Sequence, residues 1–300
     1  MVLKNAGDVN NVAIKAQESS AVKNDPPLSR GIGGVGATAP MQKQHRDWRV
    51  AGNLMGGGTG SGLMIAASAL SLQDAPVGNW PLIALGLIGF GFFLVFLGRG
   101  RLLRAPLNTF LNLQTPWMTL EAITGLVLFS LGLISYFTGS ANVFALAGVA
   151  GSVFLYCQAR ILTEPKAIFA GRHTAAVPLV LSTGVAEGLA VYLIAGPHLG
   201  QPENTMQPAI TAMLVVLAVR AVAWQRHVGA MTGDTPPAAS EALDAVHGLF
   251  HYGGNLFAMA LCAIMLIWSD LDGPTMGVGV IVLVSGWVYK YSLITQMSSK

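Results

Sequence analysis

Eight apolar stretches dominate this chain, each close to the roughly 20 residues an α-helix needs to cross the hydrocarbon of a bilayer. They run over about 53–72, 80–98, 119–138, 142–158, 175–196, 207–224, 249–268 and 275–294. The breaks between them are turn-forming, as in Gln73-Asp74-Ala75-Pro76, Thr138-Gly139-Ser140, Gly196-Pro197-His198 and Asp270-Leu271-Asp272-Gly273-Pro274. In lipid the backbone must satisfy its own polar groups, which selects helices. The expectation is an all-α integral membrane protein with eight transmembrane helices in two four-helix bundles.

Composition points the same way: 53% of the residues are hydrophobic and 10% charged, against about 25% charged in soluble domains. Residues 1–45, with runs such as Lys23-Asn24-Asp25-Pro26-Pro27, carry no apolar period and predict a disordered cytoplasmic tail ahead of a membrane domain over 46–300. The tail lacks the apolar core and cleavage site of a secretory signal, so the first helix is expected to stay in the mature protein.

Lys and Arg set the orientation, because cytoplasmic loops carry the excess of both. Arg46 and Arg49 precede the first stretch; Arg99, Arg101 and Arg104 fall in the second loop; Arg160, Lys166 and Arg172 in the fourth; Arg226 in the sixth. The odd-numbered loops carry Asp74, Glu203, Asp270 and Asp272 instead. Both termini are therefore expected in the cytoplasm, across an inner membrane. The formal net charge of +3 is spread over these loops and forms no continuous stripe, which argues against a nucleic-acid partner.

Charge inside a spanning helix is costly, so such residues are functional candidates. Glu187, near the middle of the fifth stretch, reads either as a proton relay or as a structural carboxylate held by a neighbouring helix. Arg220 reads as its partner or as a side chain snorkelling to the headgroups, with snorkelling favoured. His247 and His251 share a face at i, i+4 and suit a quinone, a metal or a partner, or simply a polar helix start. The histidines lack the matched pairs of a bis-His haem, and no haem is expected. Cys157 and Cys262 have no metal-ligand spacing, so the chain has no cysteine-ligated centre of its own. The run Gly56-Gly57-Gly58-Thr59-Gly60-Ser61-Gly62 follows no strand and lacks a Gly-Lys-Ser/Thr, so it reads as a surface for close helix approach rather than a nucleotide loop. Asn53, one turn earlier, is a polar group for a ligand or a neighbouring helix.

The second basic loop and the helix after it gather Arg99, Arg101, Arg104, Asn112, Trp117 and Glu121 at one interface. Such a surface suits docking of a soluble partner and binding of a quinone head, whose carbonyls need donors and whose reduction needs protons. Glu121 reads equally as a carboxylate stabilising a helix N-terminus.

Leu97-Gly98, Leu103-Arg104-Ala105, Asn112-Leu113 and Trp117 through Glu121 resemble, in order, a motif of the membrane anchor family of dimethyl sulfoxide reductase and its polysulfide reductase relatives. Ala159-Arg160-Ile161 followed by Pro165 is similar to a second family motif, and Trp48 through Gly62 to the family's Gly-rich first helix. The resemblance implies a haem-free anchor that binds a ferredoxin-like iron-sulfur subunit, itself attached to a molybdenum or tungsten bis-pterin catalytic subunit. The chain would exchange electrons and protons with menaquinone or ubiquinone. The family's quinone-associated carboxylate maps onto Glu121, with Asn53 and Tyr156 at the same membrane face. Arg160 joins the docking surface. Where the family often carries a His before Leu-Gly, this chain has Phe96, so Glu121, His173 or Arg104 would supply proton exchange or hydrogen bonding. With the motif loop on the basic side, the catalytic partner is expected in the cytoplasm, as for anchors of phenylacetyl-CoA acceptor oxidoreductases or of a cytoplasmic sulfite dehydrogenase. A secondary transporter built around Glu187 and a purely structural anchor are the competing readings.

Overall fold

The computed structural model describes residues 48–99, 116–164, 173–231, 237–268 and 274–297. Every regular element among them is helical: α1 (Trp48–Ser71), α2 (Trp80–Arg99), α3 (Pro116–Thr138), α4 (Ala141–Leu162), α5 (Ala176–Ala195), a 3-10 turn (Pro197–Leu199), α6 (Glu203–Met231), α7 (Pro237–His247), a π-helical segment (Gly248–Phe257), α8 (Ala258–Ile267) and α9 (Pro274–Thr295). The segment 1–45, Arg101, Arg104 and Asn112 lie outside the described residues, as does the side chain of Arg99.

Six helices among the described residues are long and apolar enough to cross a membrane, namely α3, α4, α5, α6, the stretch Ala239–Ile267 and α9. In α2 the apolar stretch Trp80–Val95 is shorter. Glycines lower the hydropathy of α1, yet most of it is buried.

Two elements run well past their apolar cores. Beyond the expected 207–224, α6 begins at Glu203 and ends at Met231, with Pro208 early in the helix, where fewer intrahelical bonds are lost. The rod expected to start at 249 starts at Pro237, because α7 is amphipathic rather than uniformly apolar. Ala239, Ala242, Leu243 and Val246 form its buried stripe at helical spacing, packed into a cluster with Leu293 and Met297. Between α3 and α4 the reversal uses Gly139 at φ 64°, and Ser140 caps α4 by accepting from the Val143 amide.

Neighbouring helices close two rings. In the first, α1 meets α2, α2 meets α3, α3 meets α4 and α4 returns to α1; in the second, α5 meets α6, α6 meets the π segment and α8, these meet α9, and α9 returns to α5. The pairings run antiparallel, as Gly56 against Leu87 and Gly60 against Ala84 show for α1 and α2, and Gly279 against Ala190 and Gly286 against Glu187 for α9 and α5. The rings join through α1 and α5, which lie parallel: Gly58 and Gly62 face Gly184, and Gly188 packs on Gly62. Backbone meets backbone there, so the glycines of α1 work as helix-packing residues. Burial follows this order, with 67% of the apolar window of α5 inside and only 22% of that of α3, which leaves α3 at the periphery.

The helix ends therefore fall into two sets. Arg160 at the end of α4, His173 before α5 and Arg226 near the end of α6 lie at what we call the basic end. Asp74 and Glu203 lie at the opposite end.

Candidate functional site

Helix α5 is enclosed by α1, α4, α6 and α9, and most of its residues are buried. Glu187 sits there with 0% exposure. Its Oε2 accepts from Lys290 Nζ of α9 at 2.6 Å and from the Thr59 hydroxyl of α1 at 2.8 Å. Thr59 in turn accepts from the indole N–H of Trp287 at 2.9 Å. Glycine makes the room: a side chain at Gly58 would run into Lys290 Nζ, and one at Gly286 into the Glu187 carboxylate. Lys290 is also 0% exposed. Taking both ions out of water costs several kcal/mol each, and their attraction offsets this only with good geometry and further hydrogen bonds. A buried pair is thus poor evidence of stabilisation and a reason to look for function.

Arg220 of α6 corrects the snorkelling expectation. It is fully buried: Nε donates to Asn255 Oδ1 at 2.5 Å, Nη2 to the Gly254 carbonyl at 2.5 Å, and the guanidinium lies 4.7 Å from the Phe250 ring centroid. It turns inward because the π segment offers an amide, a carbonyl and an aromatic face at one level. π segments often occur at functional sites. Arg220 makes no direct ion pair with Glu187, but their charges act on one another. The centre thus contains one potential anion and two potential cations. Glu187 Oε1, Arg220 Nη1 and Asn255 Nδ2 are buried without a hydrogen-bond partner in the protein.

A second group lies between α3 and α4 at the basic end. The rings of Trp117 and Tyr156 meet edge to face with centroids 5.8 Å apart, and the Arg160 guanidinium lies 4.9 Å from the Trp117 ring centroid. Glu121 lies one turn beyond Trp117 on the same helix, close enough to Cys157 of α4 for its charge to act there. Glu121, Tyr156, Trp117 and Arg160 thus come together. Asn53 sits on α1 where that helix crosses Gly91 of α2, its Oδ1 buried without a partner. His173 goes elsewhere, to the head of α5 near His227 of α6.

His251 belongs to that second ring, with its Nε2 3.0 Å from Gln225 Nε2. His247 lies 5.3 Å from it, ring to ring. Trp224 neighbours both His247 and His227. Among the described residues no cluster of His, Cys, Asp and Glu has the geometry to hold a metal ion.

Sequence reasoning missed Lys290, although a lysine within Val282–Thr295 was itself a signal of the kind that singled out Glu187. Thr59, Trp287 and Asn255 had no such signal, since each is ordinary in its own helix. Gln158 was also passed over; it is buried against Gly57, and neither polar atom of its side chain has a partner. No family model, no curated protein and no solved structure matches the chain.

Proposed function

We propose that this chain is the membrane anchor and quinone-reactive subunit of a molybdenum or tungsten iron-sulfur oxidoreductase, crossing the inner membrane eight times with both ends in the cytoplasm. The single observation that carries the reading is the convergence of Trp117, Tyr156, Arg160 and Glu121 at the basic end of α3 and α4. Trp117 and Glu121 belong to the first motif in which the chain resembles the dimethyl sulfoxide reductase anchor family and Arg160 to the second, while Tyr156 is the polar residue mapped to the same membrane face. The alternating helix directions support α1 and α2 as two further spans beside the six apolar ones.

Reducing a quinone takes two electrons and two protons. Trp117 and Tyr156 offer flat apolar faces to the ring, Arg160 and Arg104 offer donors to a carbonyl, and Glu121 is placed to exchange a proton. Asn53 and His173 are further polar groups at that end. Electrons would arrive from a ferredoxin-like subunit docked on Arg99, Arg101, Asn112, Trp117 and Arg160. The iron-sulfur clusters and pterin metal would belong to the partner subunits.

Mild-detergent purification of the tagged chain, followed by mass spectrometry and metal analysis, tests this directly. An iron-sulfur subunit and a molybdenum or tungsten subunit are expected to come with it. A chain that purifies alone and metal-free would sink the reading and favour a transporter built on Glu187. Within the complex, Glu121→Gln is expected to slow quinone turnover by about ten-fold or more while dye-linked activity persists. Loss of assembly would make Glu121 a docking residue instead. A reporter fused after Lys300 should report a cytoplasmic end.

A further inference from the structure

Three stretches far apart in sequence bring four histidines to the basic end of the second ring. His173 lies near His227, Trp224 bridges His227 and His247, and His247 neighbours His251. Polar groups continue inward from there. His251 lies beside Gln225, and Asn255, one turn further along the π segment, accepts from Arg220. Arg220 also holds the Gly254 carbonyl, and Gly254 packs on Ser285. The next residue, Gly286, packs on Glu187, which binds Lys290 and Thr59.

Towards the opposite end the seam stops. Leu189, Ala190 and Leu193 of α5 and Val278 and Val282 of α9 are buried and apolar. The next polar contacts of α5 towards that end are those of Tyr192 with Gln201 and Thr205. The unpartnered Glu187 Oε1, Arg220 Nη1 and Asn255 Nδ2 all belong to residues of the seam.

We propose that this seam is a one-sided proton-uptake route from the basic end of the second ring to the buried Glu187–Lys290 pair, with Lys290 as the group that takes up and releases the proton. Charge counting selects Lys290. Arginine keeps its proton in proteins, so Arg220 balances an ionised Glu187 whenever Lys290 is a neutral amine. When the Nζ lone pair takes up a proton, the trio carries one net positive charge; release returns the proton along the same seam. Each uptake forms one N–H bond as one O–H bond of hydronium at the basic end breaks, and no electron moves. Glu187, Lys290 and Arg220 are the charged groups whose fields meet at this pair, while Thr59 and Trp287 complete its surroundings as neutral groups. Buried, paired ionisable groups within a membrane protein recur in proton relays. The route serves the chain whether or not it is a quinone-reactive anchor, so the two proposals fail separately.

Solid-supported-membrane electrometry of the full chain in phosphatidylcholine liposomes tests this. A pH jump on the exposed side is expected to give a transient charge displacement absent from protein-free liposomes, with no sustained current. Lys290→Arg keeps the cation but cannot release its proton, and should abolish the transient. His251→Phe, at the mouth and away from the pair, should slow its decay about ten-fold with the total charge unchanged. A wild-type trace equal to that of protein-free liposomes overturns the proposal, as does wild-type charge displacement in Lys290→Arg or an unaltered decay in His251→Phe. Circular dichroism confirms that each variant is folded. Should Lys290→Arg fail that check, the charge-free pair Glu187→Gln with Lys290→Met replaces it under the same criterion.

Discussion

Glu187→Ala is expected to cost the helical domain about 3 to 5 kcal/mol, the usual penalty for removing one partner of a buried ion pair. Lys290 and Arg220 would then share the core of the second ring with no anion, both at 0% exposure. Lys290→Met should cost clearly less, because Glu187 and Arg220 remain to balance each other. The asymmetry follows from one carboxylate serving two cations. Melting temperatures in a single detergent check it, with Glu187→Ala expected lowest. Equal losses from the two substitutions would show that Arg220 does not contribute to the balance. Glu187→Gln combined with Lys290→Met should recover part of the loss, since one buried cation, Arg220, rather than two is then left without an anion.

Gly188→Leu is expected to prevent stable assembly of the two rings. Even a Cβ at this position would run into the backbone of Gly62 and Leu63. Overpacking commonly costs about 1 to 3 kcal/mol when side chains can shift; here the obstacle is backbone of an adjacent helix, and α1 and α5 would have to separate. Those helices form the junction of the rings, so the loss should exceed that range. Gly86→Leu is the control, because nothing lies within 4 Å of a Cβ there. Size-exclusion profiles and resistance to proteolysis in detergent compare the two. A well-behaved Gly188→Leu protein would mean that α1 and α5 do not pack backbone to backbone.

The helical character and most of the helix positions were legible because a membrane solvent imposes one simple rule, a long apolar run between turns. Where an element departs from that rule its bounds were missed: α7 is amphipathic rather than uniformly apolar, and α6 extends from Glu203 to Met231, past both ends of its apolar stretch. Tyr156 and Arg160 were singled out through the family resemblance, whereas Glu187 and Arg220 were legible because a charge stood out against an apolar background. Even then the direction of Arg220 was not. Snorkelling is the default for a long basic side chain near a helix end, and it lost to an amide and a carbonyl 2.5 Å away on a different helix.

Sequence by itself determined that this chain is helical and apolar, that its basic residues segregate by loop, and that α1 is too rich in glycine to pack like its neighbours. These properties are local or periodic, and they survive being read one residue after another. Tertiary structure decided which helices meet: that Thr59, Glu187 and Lys290, separated by more than a hundred residues at each step, share one hydrogen-bonded centre, and that His173, His227, His247 and His251 gather at one end of the second ring. The physical reason is that burial and pairing depend on the neighbour across a helix interface. That neighbour is set by the parallel contact of α1 with α5 and the antiparallel return of α9, neither of which leaves a mark in any single segment.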